Sequence, residues 1–300
     1  MPETAAAETP TAGTPAEPAA SLRGFVLRVA NPAADASFYQ DTFGLTPEPG
    51  PQPGWIRVDT GWGQSLFLAP GGGELPVIGD RWEHQGFIPI LRTFRVEELT
   101  ERLDGRGVHW INRPFGYEMR GHALLGYFAD PAGQPIGIQQ RMSDSVREED
   151  LATLERLAAE AGARKAENGA DGAAAYPTGP DAPEVLGIGW VIHQAADIVA
   201  AREFYASALG WPMVRGTDGF GYMMTVDPVT ILQIAFRGRA KDPGRDLSAE
   251  PQLPLLRGDA DEIIASVERH GGREVPAFAG LRAFTDPEGH AWLIDSAGTW

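Results

Sequence analysis

The sequence predicts an α+β protein of two tandem domains, each assembled from two βαβββ units. Three observations carry that expectation. Short apolar strands bounded by Gly and Pro alternate with helical patterns through residues 22–142 and again through 185–300. These two blocks repeat one another in order. Between them, residues 143–184 change composition, with 10 acidic side chains against 4 basic ones. A chain of 300 residues suits two domains that each bury a core.

The first block opens GFVLRVANPAADASFYQDTFGL (24–45) and the second WVIHQAADIVAAREFYASALGW (190–211). Each reads as a strand, a turn and a helix that ends at a glycine. Phe38-Tyr39 and Phe204-Tyr205 fall at the same offset, with the Phe expected against the sheet and the Tyr farther round. Second helical patterns follow at 96–108 and 261–272. Each block then closes on a strand, an Asp-Pro turn and a last strand, YFADPAGQPIGI (127–138) and AFTDPEGHAWLI (283–294). Residues 1–21, mostly Ala, Thr, Pro and Glu, read as a disordered tail. Ser145 and Glu148 have the spacing of a capping box. They begin a helix to about Lys165, whose stripe of Leu151, Leu154 and Leu157 is expected to pack on one of the domains. Residues 168–184 read as a flexible linker.

Forty-one acidic against 25 basic side chains give a net charge of −16. More than half of it lies in the tail (−3) and the 143–184 connector (−6), so it reads as solubility rather than as a cation-binding cleft. An acidic chain does not suit nucleic acid, and the run Arg237, Arg239, Lys241 and Arg245 reads as a solvated loop. The absence of cysteine excludes disulfides, thiolate nucleophiles and Cys-ligated metal. No apolar run reaches the ~18 residues of a membrane span, and nothing at the start has the form of a signal peptide. A cytoplasmic protein is expected, monomer or homodimer.

The ordered recurrence of the strand-turn-helix-Phe-Tyr and Asp-Pro-x-Gly segments resembles the vicinal oxygen chelate superfamily, which holds glyoxalase I, extradiol dioxygenases, fosfomycin-resistance enzymes and bleomycin-binding proteins. The resemblance implies paired βαβββ units that form half-open barrels around a ligand. It also implies four metal-ligand positions per barrel. In this sequence the first falls on Gly24 and Trp190 and the last on Gly137 and Leu293. The middle ones fall near Phe67 and Ile88, and near Gln233 and Gln252. Such a set lacks imidazole and carboxylate, so no metal and no other cofactor is expected. The six histidines form no HxH, HExxH or i,i+4 pair. By strand alternation His193 should face the helices, and His290 decorates the Asp-Pro turn.

The same alternation predicts what lines the clefts. Arg28 and Arg92 occupy matching places in the two halves of block one and are expected to converge on one anion, or else to pair with acids at the rim. Tyr117 and Gln139 join that wall. In block two the expected lining is Trp190, Ile192, Gln194, Gln233, Gln252, Leu256 and Leu293, with Tyr222 and Phe278 at its edge; alternatively Trp190 fills the cleft as core. The leading expectation is a metal-independent protein that binds an aromatic or anionic metabolite or antibiotic, with the small molecule as its partner and neither nucleic acid nor membrane. The alternative is an enzyme of the same fold, a lyase, isomerase or dioxygenase with displaced ligands, or a metal-free acid–base catalyst. That reading needs His84, His122, Glu83 and Glu118 to converge. A third is a scaffold whose clefts are filled by their own side chains.

Overall fold

The computed structural model describes residues 20–72, 86–93, 95–115, 123–141, 184–217, 221–227, 230–236, 241, 247 and 250–300. Four βαβββ units follow one another. Unit one is β1 (Ala20–Val29), α1 (Pro32–Phe43), β2 (Pro47–Pro49), β3 (Ile56–Gly61) and β4 (Gln64–Pro70). Unit two is β5 (Phe87–Thr93), α2 (Val96–Gly105), β6 (His109–Phe115), β7 (Ala123–Ala129) and β8 (Pro135–Arg141). Unit three is β9 (Val185–Ala195), α3 (Ile198–Ala208), β10 (Met213–Thr217), β11 (Gly221–Thr225) and β12 (Ile231–Phe236). Unit four is β13 (Gln252–Gly258), α4 (Ala260–Arg269), β14 (Arg273–Phe278), β15 (Leu281–Thr285) and β16 (Ala291–Asp295).

The helices start where side chains can accept the orphan amides of the first turn. Asn31 accepts from Ala34 N, Asp197 from Val199 N and Ala200 N, and Asp259 from Asp261 N and Glu262 N. Pro32 occupies the first turn of α1, and Gly44 ends that helix in the left-handed region at φ 67°. Strand β1 begins at Ala20, inside the stretch read as a tail. Ala20 is buried, and its carbonyl accepts a 3.1 Å hydrogen bond from Trp211 Nε1. The expected helix at 145–165, the linker at 168–183 and residues 1–19 lie outside the described residues.

The strands form two eight-stranded mixed sheets, in the orders β14-β15-β16-β13-β1-β4-β3-β2 and β10-β11-β12-β9-β5-β8-β7-β6. Units one and four therefore share the first sheet, and units two and three the second. The expected pairing of consecutive units within 22–142 and within 185–300 is not the one the sheets use. The joints are antiparallel, β1 with β13 and β5 with β9. The four first strands of the units have equivalent apolar patterns, so pattern alone does not select among their pairings.

Each sequence block is held together in another way. The Tyr39 hydroxyl donates 2.9 Å to Asp130 Oδ2, joining unit one to unit two. The Tyr205 hydroxyl donates 2.8 Å to Asp286 Oδ2, joining unit three to unit four. The Phe-Tyr and Asp-Pro motifs are thus two ends of one buried bond that crosses from sheet to sheet. Each Tyr lies one residue farther round its helix than the Phe, and both are fully buried.

A large core fills the space between helices and sheets, with Phe25, Leu27, Tyr39, Phe128, Trp211 and Trp292 among its members. Alternate strand residues turn to the opposite, helix-free faces and form two smaller clusters there. One, on the first sheet, contains Val26, Phe67, Leu253, Leu255 and Leu293. The other, on the second sheet, contains Ile88, Ile90, Tyr127, Trp190 and Ile192. These faces are the two clefts. Among the described residues no helix is long and apolar enough to cross a membrane.

Candidate functional site

The two clefts differ in how they are finished. In the first sheet the Trp300 indole packs edge-on to Trp55 and Phe67, with ring centroids 5.0 and 5.6 Å away. Trp300 N donates to Asp295 Oδ2, and Trp300 O accepts from Arg23 Nε. Beneath this plug, Phe67, Leu255 and Leu293 have no exposure at all. In this sheet the third expectation, a cleft filled by its own side chains, describes what is seen.

The second sheet keeps a wall that solvent still touches: Trp190, Tyr127 and Met223 retain 7–8 % exposure. Register places the polar groups along it. Arg92 lies opposite Gly187 and beside Gln139, Ile90 opposite Trp190 and beside Gly137, and Ile88 opposite Ile192, which neighbours Gln233. Arg92, Gln139 and Trp190 therefore occupy adjacent rows at one end. Gln194 sits at the other, where its backbone N–H donates to Gly86 O. Six strand residues separate the two rows, or about 20 Å.

The Arg92 end is built with care. Gly189 has no side chain because a Cβ there would stand 2.5 Å from Arg92 Nε. Across the guanidinium lies the Trp62 ring, 5.2 Å from Arg92 Cζ, a cation–π contact. Trp62 reaches over from the β3–β4 hairpin of the other sheet. Gln64 anchors that hairpin, accepting from Ile188 N and donating to Thr230 Oγ1, both at 2.7 Å. Trp62 holds φ 52°, a backbone conformation costly for a bulky residue. Three buried polar atoms face this end without a hydrogen-bond partner: Gln139 Oε1, Trp190 Nε1 and Trp62 Nε1. Each such atom costs about 1–3 kcal/mol until a partner arrives.

Several sequence expectations change. Arg28 and Arg92 do not converge, because they lie in different sheets; Arg28 donates instead to Gly71 O at 2.6 Å. Gln252 and Leu256 face the helices. Gln252 pairs with Leu27 of the main core, and Leu253 takes the cleft position opposite Val26. The strand is buried on both faces, so alternation did not mark its register. Tyr222 lies opposite Ile234 on the helix side, under the Arg202 guanidinium. Phe278 packs near Trp55 in the filled cleft. Tyr117, His84, His122, Glu83 and Glu118 lie outside the described residues. Sequence reasoning missed Trp62, whose one signal was a bulky aromatic set between two glycines in a hairpin, and it missed the plugging role of Trp300.

The positions where the resemblance implies a metal do not fit one. Gly24 holds φ 149°, and a Cβ there would stand 1.8 Å from Ser65 O. At Gly137 a Cβ would already stand 2.7 Å from Ile90 Cγ1. The remaining positions are Phe67, Leu253 and Leu293 in one sheet and Ile88, Trp190 and Gln233 in the other, none a strong ligand.

Titratable groups cluster elsewhere, at the junctions between units. Burial pushes the Asp130 carboxyl up to about 7, although Gln134 N and the Tyr39 hydroxyl bond to it. Burial also presses on Asp286, but His193 and His290 beside it outweigh that and hold it below the usual carboxylate range. As alternation predicts, His193 faces the helices. Its ring stacks on Phe87 at 4.6 Å and meets Tyr205 edge-on.

Residues 190–294 match the family model of a glyoxalase-like domain. Glyoxalase I from Zea mays superposes with a TM-score of 0.59 at 16 % identity, covering 92 % of both chains. A putative dioxygenase from Bacillus subtilis superposes with a TM-score of 0.58 at 16 % identity, over 93 % of this chain and 86 % of that one. No curated protein matches in sequence. The chain has the vicinal oxygen chelate fold. Among the described residues, the metal positions that this fold would offer are occupied by Gly, aromatic, aliphatic and amide residues.

Proposed function

We propose that the protein binds a small aromatic anion, without metal at the ligand, in the cleft of the second sheet. The observation that carries this reading is the Arg92 end of that cleft. There a buried guanidinium under Trp62 stands one row from Trp190, with the buried Gln139 Oε1 and Trp190 Nε1 lacking partners. A carboxylate would take the planar fork of Arg92, and an aromatic ring would lie against Trp190 and the aliphatic wall. The described part of this wall carries no His, Asp, Glu or Lys, and its one hydroxyl-bearing aromatic is Tyr127, so the reading is capture rather than turnover. Burial of the ligand is the whole mechanism: apolar contact supplies most of the affinity and Arg92 selects charge.

The test is a titration of intrinsic tryptophan fluorescence with phenylacetate, cinnamate and indole-3-acetate, in buffer with EDTA. Saturable quenching that EDTA leaves unchanged, with the probe recovered intact by mass spectrometry, is the expected result. Turnover of a probe, or no saturable response to any of the three, would overturn the reading.

A further inference from the structure

The internal repeat supplies a control for the junction histidines. Aligning Phe38-Tyr39 with Phe204-Tyr205 sets Leu27 against His193. Aligning the two Asp-Pro-x-Gly turns sets Asp130 against Asp286, Ala132 against Glu288 and Gln134 against His290. Both junctions make the Tyr–Asp bond, at 2.9 and 2.8 Å. One junction therefore folds with Leu, Ala and Gln where the other carries His, Glu and His. The fold does not require the second set.

That set has the makings of a ligand sphere. One donor atom from each of His193, Glu288 and His290 lies within 4.8 Å of the others. Both imidazoles are buried to 1 % exposure or less, and the Nε2 atoms of both make no hydrogen bond. His193 Nδ1 is 3.3 Å from Gly86 O; a proton placed there leaves the Nε2 lone pair facing the cluster. Asp286 Oδ2 lies 3.4 Å from His193 Nε2, close enough to join as a fourth donor. Glu288 is aimed by the amides of Ala196 and Asp197, 2.9 and 2.6 Å from its two oxygens, and each oxygen keeps a second lone pair. Two carboxylates with two imidazoles match the charge of a divalent ion. The nearby Lys241 ammonium is bound to Glu250 at 2.9 Å.

We propose that His193, Glu288 and His290, with Asp286 beside them, bind a divalent transition ion of the zinc class that staples the second sheet to the first. His193 comes from β9 of one sheet, and Glu288 and His290 come from the β15–β16 turn of the other. The site is on the helix side, away from both clefts and from the metal positions of the fold. Packed among Phe87, Tyr205 and Trp292, it has no room for substrate and is a closed, structural centre. The proposal does not depend on what the Arg92 cleft binds.

The test uses the full chain, stripped with EDTA and desalted, then titrated with Zn²⁺ or Co²⁺ alone. One ion per chain by elemental analysis is expected, with visible Co²⁺ bands of a four-coordinate N/O site. A saturating ion should raise Tm by roughly 5–10 °C. His193→Leu and His290→Gln install the residues that the other junction already tolerates, and each should weaken binding more than about 100-fold while circular dichroism stays unchanged. Glu288→Gln gives a third variant should either of these fail to fold. Arg92→Ala, in the cleft, should leave stoichiometry unchanged. No bound ion at tenfold excess, or unchanged affinity in every folded ligand variant, would overturn the proposal.

Discussion

In one cleft the indole of Trp300 wedges beside Trp55 and Phe67 and leaves the wall beneath it fully covered. In the other, the corresponding face ends in Arg92, Gln139 and Trp190, and its aromatic wall still meets solvent. Both faces come from the same repeated unit, so strand geometry is common to them and the difference lies in a few side chains. A filled cleft adds to the core. An open one keeps polar atoms at a cost in stability, which is the usual mark of a site kept for a ligand. The junctions show a parallel contrast, Leu27 and Gln134 on one side against His193 and His290 on the other.

The sharpest way to break the contrast between clefts is to unplug the filled one. Trp300→Ala should lower stability by about 3–5 kcal/mol, as large aromatic truncations in cores do. The vacated space should then take up benzene, seen as a rise in Tm in its presence. An unchanged denaturation midpoint would mean that Trp300 covers the wall without holding it.

The junctions separate by pH. Asp130 has its folded pKa raised from 3.8 to about 7, so the folded state holds its proton more tightly than the unfolded chain. The stabilisation is present below the unfolded value and is lost as pH rises through about 7. Asp130→Asn removes that loss. Relative to the parent, the variant should therefore gain about 3 kcal/mol between pH 5 and pH 8, read from urea midpoints. A difference that is flat with pH would show that Asp130 ionises normally.

The ligand reading is sharpened by treating the two arginines alike. Arg92→Ala should raise the Kd of an aromatic carboxylate about 10–150-fold, the worth of one charge-assisted hydrogen bond. Arg28→Ala, whose guanidinium reaches Gly71 O in the other sheet, should change it less than twofold. Equal effects would place the ligand somewhere other than the Arg92 end.

The repeated fold behind this contrast was legible in the sequence, while the contrast itself was not. The repeat itself and the sidedness of β9 follow from alternation, and Trp190 and His193 fall on the faces expected. What stayed hidden has physical causes. β1, β5, β9 and β13 share one apolar pattern, so nothing local distinguished consecutive pairing from the pairing of units one with four. The segment Gln252–Leu256 is buried on both faces, and a one-residue slip in its register leaves no trace in the pattern. Trp62 reaches its target across the boundary between sheets, a relation that sequence spacing does not encode.

The smallest expected effect bears on how much of the open cleft is site. Gln194 is 1 % exposed, and neither amide atom has a hydrogen-bond partner, yet it lies about 20 Å from the Arg92 row. Replacing an unsatisfied buried amide by a side chain of similar volume removes a desolvation cost, so Gln194→Leu should stabilise the protein by about 1–2 kcal/mol in urea. A ligand confined to the Arg92 end would bind this variant as it binds the parent. A tenfold loss of affinity would instead mean that the ligand spans the whole face and supplies the partner Gln194 lacks, which would make it a longer molecule with a hydrogen-bonding group far from its anionic end. A loss of stability would assign the amide to the fold, and the open cleft would shrink to the three rows from Arg92 to Gln233.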